Sequence, residues 1–209
     1  MKTIIWDYNG TILDDVQLSV DIENQMLKER GLKYGYSLEE YKSMFNNPMV
    51  DYYKLLGYTF EDETFEEVGV EFYNIYSNNF DQCSLNVGIL DKLKESKEKG
   101  YTNVILSSCA YDILVEQCRL LGITSYFDCI MGVDNLVGGS KIGVGKQWME
   151  DECIDPKDCL FIGDTNADYE TAVALQVSDI YLISNGHQSY ERLKKLHDHV
   201  YHSIREITL

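Results

Sequence analysis

The chain has 209 residues, of which 44% are hydrophobic, with 35 acidic against 18 basic side chains. This length suits one α/β domain with an insert, or two small domains, and is ample for a hydrophobic core. The formal net charge of −17 makes nucleic acids and anionic membranes poor partners, so neither is expected to bind.

Targeting signals and cysteine spacing exclude further classes of protein. The sequence has no signal peptide, no basic leader and no apolar run near about 18 residues, so a cytoplasmic location is expected. The cysteines show no C-x-x-C spacing, which argues against a zinc site or a redox pair. Several have apolar neighbours and are expected to act as small core residues. They are Cys83, Cys109, Cys118, Cys129, Cys153 and Cys159.

The chain begins with an apolar run rich in β-branched residues, at 2–6, which predicts a buried strand. This strand ends at the carboxylate of Asp7, and Asn9-Gly10 then predicts a tight turn, because both residues tolerate positive φ. Open α/β sheets bind ligands at the carboxyl ends of their strands. Asp7 is therefore a candidate functional residue, although a solvated loop carboxylate has the same local pattern.

Four helices are predicted between residues 15 and 82, with no convincing strand among them. Acidic side chains outnumber basic ones in this segment. The helix start signals are an acidic N-cap at Asp14 or Asp15, the capping box Ser37–Glu40, Asn47-Pro48 as N-cap and first helical residue, and the capping box Thr64–Glu67.

Strands and helices alternate from about residue 87 onward. Strands are predicted at 102–106, 128–131, 159–162, 180–183 and 200–201. Helices are predicted at 88–99, 110–121, 143–151, 167–175 and 189–196. This order predicts a parallel sheet with helices on both faces, an α/β fold of the Rossmann-like kind.

Polar residues follow several of these strands and should meet at one edge of the sheet. Ser107 follows the strand at 102–106, while Asp164 and Asp168 follow the strand at 159–162. Three carboxylates in one crevice, with Asp7, repel each other unless a cation is present, and hard oxygen ligands suit Mg²⁺. The alternative for Gly163-Asp164-Thr165 is a turn with a helix N-cap.

Taken together, these residues resemble the four ordered motifs of the haloacid dehalogenase-like hydrolases. The motifs are Asp7-x-Asn9-Gly10-Thr11, Ser107, Lys141, and Gly163-Asp164-Thr165-Asn166-Ala167-Asp168. The resemblance spans nearly the whole chain and is to the phosphoglycolate-phosphatase-like branch. It implies a core domain of residues 1–14 and 83–209, with residues 15–82 as an inserted four-helix cap. A four-helix insert with no functional role is the alternative for that segment.

The resemblance also implies a role for each motif. Asp7 is the implied nucleophile, and Asp7, the backbone carbonyl of Asn9 and Asp164 are the implied Mg²⁺ ligands. The resemblance implies that Asp168 contacts these ligands rather than the ion and holds them in position.

Ser107, Ser108 and Lys141 are the implied phosphate-binding residues. Thr11 either steadies the turn or contacts phosphate through its backbone. His187 follows another strand and is a candidate substrate contact, although a loop histidine without a role fits equally.

The lysine of the third motif has two candidates, Lys141 and Lys146. Lys141 is preferred because its distance along the chain to Asp164 is closer to the usual spacing of the family, and because it follows Gly138-Gly139. The family often has proline after this lysine, whereas this chain has Ile142. An ordinary solvated surface lysine is the remaining alternative.

Asn9 is the main departure from the family pattern, since phosphatases of this family carry Asp-x-Asp in the first motif. The missing Asp protonates the leaving oxygen and then activates water, and an amide does neither. Dehalogenases and phosphonatases of the family also lack this Asp. The magnesium-type fourth motif argues against a dehalogenase, and no single lysine between 15 and 82 stands out as the one that a phosphonatase needs.

The sequence therefore predicts a magnesium-dependent phosphatase that acts on a small phosphorylated metabolite through an aspartyl-phosphate. The alternative is a phosphate-binding or regulatory protein that has lost turnover through Asn9. Both a monomer and a homodimer are compatible with the sequence, and the identity of the substrate is left open.

Overall fold

A computed structural model describes residues 2–134 and 140–209. Gly138-Gly139, which precedes Lys141 in the sequence, lies outside these residues. The described strands are β1 (Thr3–Trp6), β2 (Leu13–Asp14), β3 (Ser84–Leu85), β4 (Thr102–Ala110), β5 (Cys129–Val133), β6 (Cys159–Gly163), β7 (Asp179–Ile183) and β8 (Val200–Tyr201). The described helices are α1 (Val16–Glu29), α2 (Leu38–Met44), α3 (Met49–Leu55), α4 (Phe65–Asn78), α5 (Ile89–Glu98), α6 (Tyr111–Leu120), α7 (Lys141–Asp151), α8 (Asn166–Ala174) and α9 (Tyr190–Lys194).

Six strands form one sheet in the order β5-β4-β1-β6-β7-β8. Every neighbouring pair in this sheet is parallel. The first strand of the chain thus lies near the centre, between β4 and β6, and the carboxyl ends of all six strands meet at one edge. The predicted α/β fold with a parallel sheet is confirmed.

Side chains of β1 alternate between two hydrophobic cores, one on each face of the sheet. Ile4 and Trp6 pack in the core that includes α5 and α6, whereas Ile5 packs in the core that includes α7, α8 and α9. Because successive side chains of a strand point to opposite faces, a strand that is apolar at every position needs helices on both sides. The alternation explains why β1 is buried at each of its residues.

Helices α1 to α4 lie between β2 and β3, which pair with each other antiparallel. Leu13 lies opposite Leu85, and Asp14 lies opposite Ser84, so the two chain crossings to this helical segment run side by side. Within the segment, the Arg30 guanidinium binds Glu63 and Glu71, each at 2.6 Å, and joins the end of α1 to α4. No helix among residues 2–134 and 140–209 is both long and apolar enough to cross a lipid bilayer.

Several elements differ from the sequence prediction in where they begin or end. Strand β4 continues beyond residue 106 to Ala110, because Ala110 pairs with Val133 after an irregularity in register. Helix α3 begins at Met49 rather than at Pro48, since the backbone of Asn47 is held by hydrogen bonds to Asn166. Helix α9 spans only five residues and ends at Lys194, before the chain turns back to enter the sheet as β8.

Candidate active site

Three buried carboxylates meet at the carboxyl edge of the sheet. Asp7 follows β1, and its backbone N–H donates to the Ile162 carbonyl at 2.9 Å, which fixes the exit of the chain from the sheet. Asp164 and Asp168 emerge from the neighbouring strand β6 and the start of α8. Asp7, Asp164 and Asp168 each offer an oxygen atom within 4.8 Å of the others. The structure thus brings together the three acids that the sequence placed at this edge.

Lys141 is the first residue of α7 and is 4% exposed. Its Nζ lies 2.5 Å from an oxygen of Asp7 and 2.5 Å from an oxygen of Asp168. Burial favours the neutral amine, but the charges of Asp168 and Asp7 outweigh burial and raise the pKa of Lys141. Lys146, one turn later, is exposed to solvent. The structure therefore places Lys141, and not Lys146, among the three acids.

Negative charge exceeds positive charge in this cluster. Three carboxylates against one ammonium leave two charges unmatched, which is the charge of one divalent cation. Burial and the charge of Asp168 raise the pKa of Asp7 well above its usual value, and Lys141 opposes that rise only in part. Carboxylate oxygens are the ligands that Mg²⁺ prefers. The number, type and charge of these donors therefore fit a magnesium ion.

The carboxylate of Asp164 sits in a space that only glycines leave open. A Cβ atom on Gly10 or on Gly186 would overlap it, and Gly10 also has a positive φ of +75°. The Thr11 hydroxyl and the His187 backbone N–H donate to its two oxygens, at 3.2 and 2.6 Å. Burial is the main reason that the pKa of Asp164 is raised to about 6. Asp164 is thus oriented on all sides before any ligand binds.

Asp168 holds the turn on which Asp164 is carried. One of its oxygens accepts from the backbone N–H groups of Asp164 and Thr165, at 3.1 and 2.9 Å, and the other accepts from Lys141. Burial acts to raise the pKa of Asp168, but Lys141 and the bonds from Thr165 outweigh burial and lower it. Asp168 is therefore an ionised group whose hydrogen bonds go largely to the protein.

The side chain of Asn9 points its amide at a fourth carboxylate, that of Asp15. Asn9 Nδ2 donates to Asp15 at 2.8 Å and contacts the Tyr76 hydroxyl at 3.2 Å. Asp15 also accepts from the Tyr76 hydroxyl and from the Gly10 backbone N–H, at 2.8 and 3.0 Å. The sequence offered Asp15 only as a helix cap, yet its carboxylate makes no capping bond to α1. The position of Asp15 directly after the first motif was the sequence feature that could have indicated a place in the site.

His187 is buried, and both of its ring nitrogens have partners. Nε2 lies 3.2 Å from Asp15, and Nδ1 lies 2.8 Å from the Tyr41 hydroxyl of helix α2. Burial lowers the pKa of His187, but the charge and hydrogen bond of Asp15 outweigh burial and raise it to about 9. At neutral pH, His187 is therefore an imidazolium that is paired with Asp15, and it links the sheet edge to the helical segment.

The three hydroxyl-bearing side chains predicted for the site, those of Ser107, Ser108 and Thr11, differ in their exposure to solvent. Ser107 is buried within β4, and its hydroxyl accepts from the Cys109 N–H at 3.0 Å, whereas Ser108 is exposed. Both serines line a pocket of about 190 Å³ together with Asp7, Lys141 and Asp164. Thr11 is fully buried behind Asp164, and its N–H bonds to the Tyr8 carbonyl, so it steadies the turn. The helix after β4 starts at Tyr111, one residue later than expected.

A second pocket, of about 260 Å³, adjoins the first and lies between the sheet edge and the helical segment. Asn9, Phe45, Met49, Ser108 and His187 line both pockets. Hydrogen bonds join the two sides beside this space: Gln188 donates to the Phe45 carbonyl at 3.0 Å, and Ser189 donates to the Lys42 carbonyl at 3.0 Å. A ligand in the acidic pocket can therefore extend into a space that the helices enclose.

Known proteins with the same architecture place these residues in a family. Residues 4–181 match the family described as haloacid dehalogenase-like hydrolase. A phosphoglycolate phosphatase from Aquifex aeolicus is 25% identical over 178 residues, which cover 81% of this chain and 79% of that protein. A hydrolase of the haloacid dehalogenase-like family from Streptococcus pneumoniae superposes with a TM-score of 0.80 at 19% identity, over 99% of this chain and 96% of that one. A predicted phosphatase from Clostridium acetobutylicum gives 0.77 at 20% identity, over 98% and 95% of the two chains.

Proposed function

This chain belongs to the haloacid dehalogenase-like hydrolase family, and we propose that within it the protein is a magnesium-dependent phosphatase of the phosphoglycolate-phosphatase-like branch. Its substrate is a small phosphorylated metabolite. The observation that carries the proposal is the contact of Lys141 with Asp7 and Asp168 inside a buried acidic pocket. A carboxylate at the end of a rigid strand, with a buried ammonium beside it, is suited to phosphoryl transfer.

The reaction divides into two displacements at phosphorus. A carboxylate oxygen of Asp7 attacks, the bond between phosphorus and the ester oxygen breaks, and the alcohol leaves with one proton taken from solvent. Water then attacks the aspartyl-phosphate, which releases inorganic phosphate, restores the Asp7 carboxylate and returns one proton to solvent. Lys141 is positioned to balance the negative charge of the transferring group, while Ser107 and Ser108 offer hydroxyl groups to its oxygens.

Magnesium would be held by Asp7, the backbone carbonyl of Asn9 and Asp164, with Asp168 keeping the turn of Asp164 in place. The bound ion supplies charge neutralisation for the phosphoryl oxygens. Asp164 is suited to this task because glycines and two hydrogen bonds already fix its carboxylate. Preorganised oxygen ligands lose little freedom when a cation binds.

Proton transfer is the step that Asn9 weakens. An amide has no ionisation near neutral pH. The side-chain NH₂ group of Asn9 also donates its hydrogen bonds to Asp15 and to the Tyr76 hydroxyl. General acid–base catalysis contributes roughly 10² to 10⁴ in rate. The protein is therefore expected to act faster on esters with good leaving groups than on alkyl phosphates.

The proposal includes a division into two domains, with residues 15–82 as a cap on a core of residues 1–14 and 83–209. The paired crossings β2 and β3 support it, since they concentrate both connections in one place. A cap that closes over the pocket shields the reacting groups from bulk solvent, and its opening admits substrate and releases product. We place the protein in the cytoplasm, with which its six free cysteines are compatible, as a monomer or a homodimer.

A second candidate function is phosphate binding or regulation with little turnover. The observation that favours it is the hydrogen bond from the Asn9 amide to Asp15, in place of a carboxyl group that could transfer a proton. In this alternative, the acidic pocket and Lys141 still bind magnesium and a phosphoryl group, but no alcohol is released.

A panel of aryl and alkyl phosphate monoesters, assayed with and without Mg²⁺, separates the two candidates. A phosphatase releases phosphate only with the metal, and fastest from aryl esters. Thermal unfolding gives an independent check, because Mg²⁺ at about 100 times its Kd should add about 2.7 kcal/mol of stability. Asp164→Asn should abolish most of that gain. If millimolar Mg²⁺ leaves the melting temperature of the wild-type protein unchanged, the metal site is wrong.

A further inference from the structure

The pocket of about 260 Å³ beside the acidic site is enclosed mainly by aromatic side chains of the helical segment. They are Tyr41, Phe45, Tyr53, Phe65, Phe72, Tyr73 and Tyr76. Because this pocket shares lining residues with the acidic one, it can receive the organic part of a bound phosphate ester. An ester that extends into it is selected by its lining.

Positive charge is scarce in this lining. Among the described residues that line the pocket, none is a lysine or an arginine, and His187 is the one basic side chain. The imidazole of His187 is already paired with Asp15 and bonded to Tyr41. A second anionic group on the substrate, such as a carboxylate, would enter without a cation to balance it, and an unpaired buried charge is costly.

Glu23, on α1, brings a buried carboxyl group to the same pocket. The residue is 5% exposed, and one of its oxygens accepts from the Tyr52 hydroxyl at 2.6 Å. Burial raises the pKa of Glu23 to about 8, although the Tyr52 hydrogen bond and the charge of His187 oppose that rise. A cationic group beside this carboxyl group would favour its ionised form and pair with it.

Gln117, on α6, lines the same pocket. The residue is 6% exposed, and its side-chain carbonyl oxygen is buried without a hydrogen-bond partner among the residues that the structure describes. Buried acceptors are normally paired, and leaving one unpaired costs stability. The pocket is thus lined by one acceptor without a described donor, on Gln117, and by the carboxyl group of Glu23, whose described donor is the neutral Tyr52 hydroxyl.

We propose that the substrate is the phosphate monoester of an amino alcohol, whose ammonium group occupies the aromatic pocket between Glu23 and Gln117. Aromatic faces attract cations, the two acceptors receive N–H donors, and the acidic helical segment favours a cation over an anion. This inference rests on the proposed phosphatase activity and specifies its substrate class. It also separates this chain from a phosphoglycolate phosphatase, whose substrate carries a carboxylate in place of the ammonium.

Three esters with the same two-carbon chain test the inference: aminoethyl phosphate, ethyl phosphate and phosphoglycolate. The expected order of kcat/KM is aminoethyl, then ethyl, then phosphoglycolate. A charge-assisted hydrogen bond predicts about a 10- to 100-fold preference for the aminoethyl over the ethyl ester. Glu23→Gln keeps the side-chain shape and should reduce that preference to within a few-fold of unity. Glu29→Gln removes the same charge from an exposed position on the same helix and should leave the preference intact.

Binding to Asp7→Asn protein, measured by calorimetry with the same three esters, separates failure of this inference from failure of the proposed function. If no ester is hydrolysed by the wild-type protein, the phosphatase proposal fails, and the order of binding still tests the pocket. If the aminoethyl ester is neither hydrolysed nor bound better than the ethyl ester, or if phosphoglycolate is preferred, the substrate class is overturned. Equal preference in the wild-type and Glu23→Gln proteins would also overturn it.

Discussion

The two sides of the active-site cleft handle buried charge in opposite ways. At the sheet edge, the ammonium of Lys141 lies 2.5 Å from both Asp7 and Asp168, so charges are paired closely inside the protein. In the helical segment, Glu23 is buried among aromatic rings, with the neutral hydroxyl of Tyr52 as its described donor. One side is organised before a ligand arrives, whereas the other has an acceptor that a ligand can satisfy.

This difference follows from the secondary structure that carries the side chains on each side of the cleft. The groups at the sheet edge are carried by the ends of hydrogen-bonded parallel strands, whose positions are set by the whole sheet. The groups of the helical segment are carried by helices that pack against the core through apolar side chains and through hydrogen bonds such as that from Gln188 to the Phe45 carbonyl. Reaction chemistry needs fixed geometry, and selection of a substrate needs a surface that varies without disturbing that geometry. The two sides are therefore expected to respond differently to mutation.

The largest effect is expected at the sheet edge, from Asp7→Asn. Removal of the nucleophile should reduce kcat by at least about 10⁴-fold for every ester, because no aspartyl-phosphate forms. The melting temperature should stay the same or rise, since one of the crowded carboxylates loses its charge. Phosphate release assays and thermal unfolding check both outcomes. Residual turnover near the wild-type level would show that Asp7 is not the nucleophile.

Asn9→Asp should have the next largest effect, in the opposite direction. The introduced carboxyl lies against Asp15, whose charge raises the pKa of a neighbouring acid and keeps it protonated for donation to the leaving oxygen. Turnover of alkyl phosphates should rise by up to roughly 10² to 10⁴, with a smaller gain for aryl phosphates.

Kinetics of the Asn9 protein require a mass measurement first, since Asn followed by Gly is prone to deamidation. Verified Asn9 protein that matches Asn9→Asp on alkyl phosphates would contradict the assignment of the missing acid. Asp7→Asn should remove activity in either background.

Glu23→Gln tests the helical side through the pH dependence of stability. The pKa of Glu23 is about 8 in the folded protein against 4.5 for an unperturbed glutamate, so folding favours its protonated form. Stability from this group is complete below pH 4.5 and is lost as the pH rises toward 8. At about 1.4 kcal/mol per pKa unit, the full loss is on the order of 5 kcal/mol.

Denaturant unfolding between pH 4.5 and 8.5 measures this difference. The wild-type free energy of unfolding should fall relative to Glu23→Gln across that window. Glu29→Gln, at an exposed position, should follow the wild-type curve. Parallel curves for the wild-type protein and Glu23→Gln would mean that Glu23 is already ionised in the folded protein.

The smallest effect is expected where the two sides touch. The Arg192 guanidinium donates to the Ser43 carbonyl and to Asn46, at 2.8 and 2.9 Å, and holds the end of α2 against the core. Arg192→Ala should weaken closure and raise KM by about 2- to 5-fold, with little change in kcat. Solution scattering should show a more expanded protein that compacts when a phosphate analogue binds. Arg119→Ala, on the surface of α6, is the matched control, and equal effects of the two variants would contradict a role in closure.

Elements with strong local signals could be predicted from the sequence. The apolar run of β1 and the capping boxes at Ser37 and Thr64 lie where expected, because they depend on neighbouring residues alone. The end of β4 could not be predicted, since Ala110 joins the strand only through its pairing with β5. The length of α9 depends likewise on the return of the chain to the sheet.

The residues of the candidate site likewise fall into those that the sequence could predict and those that it could not. Asp7, Asp164 and Asp168 follow strands, so their convergence could be predicted from strand order. The roles of Asp15, Glu23 and Gln117 could not, because an acid or amide in a helix is ordinarily solvated. Only the packing of the helices against the core shows that these three side chains are buried.

The short pairing of β2 with β3 has a consequence for how such a protein can be altered. Because Leu13 lies opposite Leu85, the two ends of the intervening segment are neighbours in space, and the entropy cost of closing them rises only slowly with the length of the segment. Asn86 bonds to the carbonyls of Gly10 and Thr11, so the core keeps the turn after Asp7 in place with its own residues. An entire set of helices can then be exchanged between these two points, as insertions with adjacent ends usually can. Such a graft would transfer substrate preference from one protein to another while leaving the reacting groups where they are.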